Sequence, residues 1–200
     1  KPMTPLEVDG VLVAFFGLKD TIKIKELYPH ANTFNASDAR MYLSKIMTDY
    51  IFGCANRYWA AQAAKNQGIN AFFWYFNHMP TFNRWLWSGS EDGICADGPT
   101  YICHASDLPF VFSLNKNVDV MKTFNINFSQ TDIVTQQFLN HAYGSLTRSG
   151  TSPNVTGWTP LNENNYVRFN IEPPFSGMIK DFRSDVCDFF DAIGYTRRGS

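Results

Sequence analysis

A histidine beside a cysteine opens the stretch Cys103-His104-Ala105-Ser106-Asp107-Leu108-Pro109-Phe110-Val111-Phe112, at the mouth of an apolar run. An imidazole placed there can act as a general base near neutral pH, because its proton affinity lies close to that of the medium. The plainer alternative is a loop histidine that only hydrogen-bonds a carbonyl. Two carboxylates, Glu7 and Asp9, precede it and are the candidates within the chain for an acid that orients the ring. His78 and His141 carry no assigned chemistry, so alanine at either is expected to leave activity largely intact. No Gly-x-Ser-x-Gly segment occurs: Gly89-Ser90, Gly144-Ser145 and Gly199-Ser200 lack the second glycine or the spacing, and there is no glycine run to build an oxyanion hole. A serine on such an elbow is therefore not supplied by these residues.

The four cysteines, Cys54, Cys95, Cys103 and Cys187, include no Cys-x-x-Cys pair, which favours two disulfides over a zinc site. Three Asn-x-Ser/Thr sequons, at Asn35, Asn127 and Asn154, agree with an oxidising, glycosylating compartment, so secretion or residence in the secretory lumen is expected. The first residues lack the charged and apolar regions of a signal peptide, as expected of a chain whose N-terminus lies inside a longer precursor. Over 200 residues, 17 Lys+Arg balance 18 Asp+Glu, for a net charge of −1. That balance gives no basic stripe for nucleic acid. No run of 18 apolar residues is present to span a membrane. At 44% hydrophobic content the chain can bury a core.

The elements that would hold these residues follow from hydrophobic spacing. Met3 to Pro29 reads as two short helices, with Thr4 as a cap and Gly17 as the break. Asn35-Ala36-Ser37-Asp38 starts a long amphipathic helix whose buried stripe is Leu43, Ile46, Met47, Tyr50, Ile51, Cys54, Tyr58 and Ala61, fading before Gly68. Ala71 to Asn77 reads as a strand buried on both faces, and helix followed by buried strand is an α/β signature. His78 to Gly98 is irregular, with Phe82, Trp85, Leu86 and Trp87 as either a satellite core or the mouth of a cleft. Lys116 to Ile126 is a polar excursion after apolar Leu108 to Leu114. A helix from Asp132 to Ser149, a short edge strand over Tyr166 to Asn170 and a closing helix over Lys180 to Ala192 complete the chain.

The residues His104 to Phe112 resemble the histidine segment of the type-B carboxylesterase and cholinesterase family, His-Gly-x-Glu-Leu-Pro-(Phe/Tyr)-Val-Phe. His104, Leu108, Pro109, Phe110, Val111 and Phe112 are identical, whereas Ala105 replaces a glycine and Asp107 a glutamate. Leu27-Tyr28-Pro29, which in the family closes the helix pair after the loop bearing the catalytic acid, is also present. So is a counterpart of its Thr-Gly-x-Pro-Asn … Trp-Pro words, in Arg148-Ser149-Gly150, Pro153-Asn154 and Trp158-Thr159-Pro160. The resemblance implies an α/β fold, the C-terminal part of an α/β-hydrolase domain with helices packed on a mostly parallel sheet. Residues 1–200 would be about the last third of one such domain, with the nucleophile and acid segments upstream of Lys1. It further implies that His104 is the general base of a Ser-His-Glu/Asp triad, that Cys54 pairs with Cys187, and that Cys95 is left with Cys103. The function implied is hydrolysis of a small-molecule carboxylic ester without cofactor or metal, with the upstream segment as partner and with room for a homodimer. The alternative is a cholinesterase-like protein that lost the chemistry and serves in adhesion or structure. The residue at the upstream elbow separates the two.

Overall fold

The computed structural model describes residues 2–29, 38–82, 102–123, 126–150, 153–161, 167–173, 176–180 and 183–195. They form two compact units. In the first, helix α1 (Pro5–Phe16) starts from a reciprocal cap: the Glu7 amide donates to Thr4 Oγ1 at 3.3 Å and the Thr4 amide to Glu7 Oε2 at 2.7 Å. Gly17 ends α1 at φ +80°, a conformation that costs glycine little, and helix α2 (Leu18–Leu27) turns back. Helix α3 (Arg40–Thr48) runs through a π-helical turn, Asp49–Gly53, into helix α4 (Cys54–Gln67). That wide turn corrects the expected stripe: Tyr50 is buried, but Ile51 is rotated outward and is 46% exposed.

Val8, Leu12 and Phe16 of α1 pack with Ile24, Tyr42, Ile46 and Tyr50 and with Val186 and Phe190 of helix α8 (Ser184–Ile193). A disulfide joins Cys54 of α4 to Cys187 of α8 across 133 positions of sequence. The buried Asp49 accepts from the Tyr28 hydroxyl at 2.6 Å and pairs with Arg183 at 2.8 Å. Burial, followed by the Asp49 charge, pushes the Tyr28 hydroxyl far above its usual range, which keeps it a donor. Arg57, also buried, reaches Asp188 at 2.9 Å and Asp191 at 2.7 Å.

The second unit holds a three-stranded sheet in the order β1 (Trp74–Phe76), β2 (Val167–Ile171), β3 (Gly177–Lys180). Trp74 to Phe76 align in parallel with Phe169 to Ile171, and β2 pairs antiparallel with β3, so this sheet is mixed rather than mostly parallel. Three expectations change here. The strand at Ala71 to Asn77 shortens to three half-buried residues, because among the described residues it has one strand neighbour. The segment read as an edge strand is the central one. Lys180 belongs to β3, so the closing helix starts at Ser184 rather than Lys180.

Helix α5 (Leu108–Val111), a 3₁₀ turn (Leu114–Lys116) and helix α6 (Val118–Thr123) occupy the stretch read as an apolar run and a polar excursion. Helix α7 (Gln130–Ser149) begins two residues before the expected Asp132, because Ser129 caps it: the Asp132 amide donates to Ser129 Oγ at 3.2 Å and the Ser129 amide to Asp132 Oδ2 at 2.8 Å. Gly150 closes it in the left-handed region. Phe169 is stacked by Phe138 from α7 at 5.4 Å and by Trp158 at 4.9 Å, in a core shared with Phe110, Leu139 and Ile171.

Candidate active-site histidine

His104 lies on a turn that runs directly into α5. The Ser106 amide donates to the Cys103 carbonyl at 3.0 Å, the Leu108 amide to Ala105 at 3.2 Å, and the amides of Phe110 and Val111 to Asp107 at 3.0 and 3.1 Å. Consecutive tight turns therefore carry the backbone from Cys103 into a helix whose Phe110 is fully buried. The His104 side chain is exposed, whereas its neighbour Ser106 is buried. An imidazole that water can reach, on a backbone tied at each step, suits proton transfer better than core packing does. Cys103 is disulfide-bonded. Cys95, expected to be its partner, lies outside the described residues.

Ala105 adopts φ +67°. This is the position where the resembling family has glycine, and a Cβ in the left-handed region costs about 1–2 kcal/mol. Ala105→Gly is therefore expected to stabilise the protein by about 1 kcal/mol, after allowing for the extra freedom glycine has in the unfolded chain. Urea unfolding of the two proteins measures it, and a glycine variant less stable than wild type would mean the strain is absorbed elsewhere.

A second polar cluster in this unit was missed from sequence. His78 follows β1 and is 6% exposed, and its Nε2 lies 2.7 Å from Oδ1 of Asp132, which is 0% exposed. A carboxylate there requires the proton on Nε2. The other Asp132 oxygen accepts from the Thr81 hydroxyl and from the amide and hydroxyl of Ser129 at 2.8 Å each. Burial works to raise the Asp132 pKa, but the bonds from His78, Thr81 and Ser129 outweigh it and hold the carboxyl below its ordinary value of 3.8. A depressed folded value means the carboxylate adds stability above the unfolded value, lost as pH falls through the folded one. The stability gap between wild type and Asp132→Asn should thus be largest above the aspartate range and narrow below it. Urea midpoints measured from pH 5 downward test this, and a gap that widens on acidification would contradict it.

The remaining candidates have other partners. Glu7 is engaged in the α1 cap, and Asp9 pairs with Lys25 at 2.6 Å. His141 is exposed and donates from Nε2 to the Asn154 carbonyl at 3.2 Å. Of the two histidines without assigned chemistry, only His141 is a neutral control, since His78 is buried and bonded. Asn127 and Asn154 are exposed, Asn154 in the left-handed region, and Asn35 lies outside the described residues. Phe82 is core, against Phe110 and Phe128, while Trp85, Leu86 and Trp87 lie outside the described residues. Among the described residues no group of three His, Cys, Asp or Glu side chains is arranged to hold a metal, and no helix is long and apolar enough to cross a membrane.

No protein-family model matches the chain. Two curated relatives come from Dictyostelium discoideum: the Crystal protein, 23% identical over 183 residues, and the cAMP-regulated D2 protein, 30% identical over 103 residues. The first alignment covers 90% of this chain and 31% of the relative, the second 52% and 17%. Two solved PNB esterase structures, one of them thermophilic, superpose with TM-scores of 0.62 and 0.63 at 15% and 16% identity, over 95% of this chain and 34% of theirs. The chain has the fold of part of an α/β-hydrolase domain. The chain spans about a third of the length of those structures and no more of its curated relatives.

Within the α/β-hydrolase fold, the His104 turn was legible because its whole signal is nine consecutive residues. The His78–Asp132 pair was not, because its members are 54 positions apart. One local signal was present: Ser129 and Asp132 have the Ser-x-x-acid spacing of a reciprocal cap, which places Asp132 at a helix start with a carboxylate oxygen to spare.

Proposed function

We propose that this chain is the histidine-bearing part of a carboxylic-ester hydrolase. One observation carries the reading: an exposed imidazole on a backbone-tied turn, within His-Ala-Ser-Asp-Leu-Pro-Phe-Val-Phe, in a chain with the α/β-hydrolase fold. In the reaction, His104 Nε2 takes the proton of a serine hydroxyl supplied by a segment outside these residues as that oxygen attacks the ester carbonyl. The proton passes to the departing alcohol, an acyl-enzyme forms, and His104 then activates the water that releases the acid. A carboxylate from the same outside segment accepts from Nδ1–H, which sets the tautomer and stabilises the imidazolium. Neither Glu7 nor Asp9 is assigned that role, since the cap and Lys25 engage them. The Cys54–Cys187 disulfide and the exposed sequons Asn127 and Asn154 support synthesis through an oxidising secretory compartment, with glycan at one or both asparagines.

The test is treatment of the intact polypeptide with a fluorophosphonate ester, alongside assays on short-chain nitrophenyl esters. Stoichiometric phosphonylation of one serine with matching loss of hydrolysis is the expected result. A protein that neither labels nor hydrolyses would move the assignment to a non-catalytic cholinesterase-like role.

A further inference from the structure

We propose that His78 is a positioning residue for the His104 turn, acting through its hydrogen bond to Asp132 and its packing against Phe110. The proposal rests on the hydrolase reading for its kinetic consequence, but not for its structural one. Phe110 is 0% exposed and enclosed by four rings: Phe76 at 5.3 Å, His78 at 5.4 Å, Phe82 at 5.6 Å and Phe128 at 5.5 Å. The His78 ring meets Phe110 edge-on, at 89°. Phe110 in turn donates its amide to the Asp107 carbonyl, and the chain of turn bonds runs from there back through Ala105 to Cys103. The turn that carries His104 is thus joined by successive backbone bonds to the residue those rings enclose.

What holds the wall of that enclosure is Asp132. Its carboxylate gathers His78 and Thr81, from the segment after β1, and the Ser129 cap of α7, so the loop and the helix start are fastened at one buried point. Farther along α7, the Asn140 amide donates to Ser113 Oγ at 2.7 Å just beyond α5. The segment carrying His104 is therefore braced from both sides. Removing the His78 bond leaves a buried carboxylate short of one donor and frees one wall of the Phe110 site, and tight packing passes such a shift on to its neighbours. A displacement of about 1 Å in a proton-transfer group can cost on the order of 100-fold in rate.

Three variants of the intact polypeptide decide the matter. His78→Phe keeps the ring and drops the bond, His78→Gln keeps a donor within reach of Asp132, and His141→Ala is the control. With nitrophenyl esters, His78→Phe is expected to lower kcat about 10- to 100-fold with KM within about twofold, and His78→Gln to recover most of the loss. If His78→Phe does not fold by circular dichroism, Asp132→Asn replaces it, with the same direction expected. A folded His78→Phe or Asp132→Asn protein with unchanged kcat, or with the loss confined to KM, overturns the proposal.

A second readout needs no turnover. The Cε1–H resonance of His104, assigned by its absence in His104→Ala, should shift in His78→Phe and stay in place in His141→Ala. If wild type hydrolyses no ester, the hydrolase reading fails and this measurement alone decides the positioning role. An unmoved His104 resonance in folded His78→Phe overturns it.

Discussion

In the intact polypeptide, His104→Ala is expected to lower kcat for ester hydrolysis by about 10³- to 10⁶-fold, the range seen when a triad member is lost. The size follows from what the imidazole does. In the proposed mechanism its loss would leave the serine proton without an acceptor of matched affinity and the leaving alcohol without a donor, so both halves of the reaction would lose their proton path. Because the turn is tied by backbone bonds that the side chain does not make, the variant should still fold. KM should move little, since the role proposed for His104 acts on the transition state more than on bound ester. His141→Ala is the matched control: it removes an exposed imidazole that bonds only to the Asn154 carbonyl among the described residues, and near-wild-type turnover is expected. Near-normal hydrolysis by folded His104→Ala protein would sink the assignment. Equal losses in both variants would point to a stability effect instead.

The largest stability effect is expected at the disulfide. Cys54→Ala combined with Cys187→Ala opens a bridge spanning 133 positions, for which chain entropy alone gives about 5 kcal/mol. That is comparable to the whole stability of many domains. Both sulfurs are buried in the core where α4 meets α8, so alanine also leaves unfilled volume beside Tyr50 and Phe190. Alanine is the better probe, because a serine hydroxyl buried there would add an unmet hydrogen bond. Urea unfolding should show the midpoint falling steeply, with helix signal lost from the first unit before the second. A loss under about 1 kcal/mol would mean that the reduced, unfolded chain is already constrained, or that core packing alone holds α8.

Sequence by itself determined what depends on residues within a turn of one another. Thr4 as a cap, the break at Gly17 and the helix end at Ser149-Gly150 were legible, because a cap or a positive φ is decided by neighbours three or four positions away. Glu7, a candidate acid by sequence, proved to be the other half of the Thr4 cap. The histidine segment belongs in this group as a motif: its residues are consecutive, and the alanine standing where the resembling family has glycine, Ala105, lies at φ +67°. Even the pairing of Cys54 with Cys187, though long-range, could be stated in advance, because resemblance supplied what spacing alone does not.

Tertiary structure decided whatever depends on partners far along the chain. β1 and β2 meet through residues about 95 positions apart, so neither the half-buried state of Trp74 to Phe76 nor the central place of β2 could be read from alternation. Ile51 had the right spacing for the core, but the π turn at Asp49–Gly53 broke the 3.6-residue period and turned it out. His78 looked like a spare histidine in an irregular loop. Only folding brings it against Asp132 and Phe110, because a side chain's hydrogen-bond partner and burial belong to the assembled core rather than to its own segment.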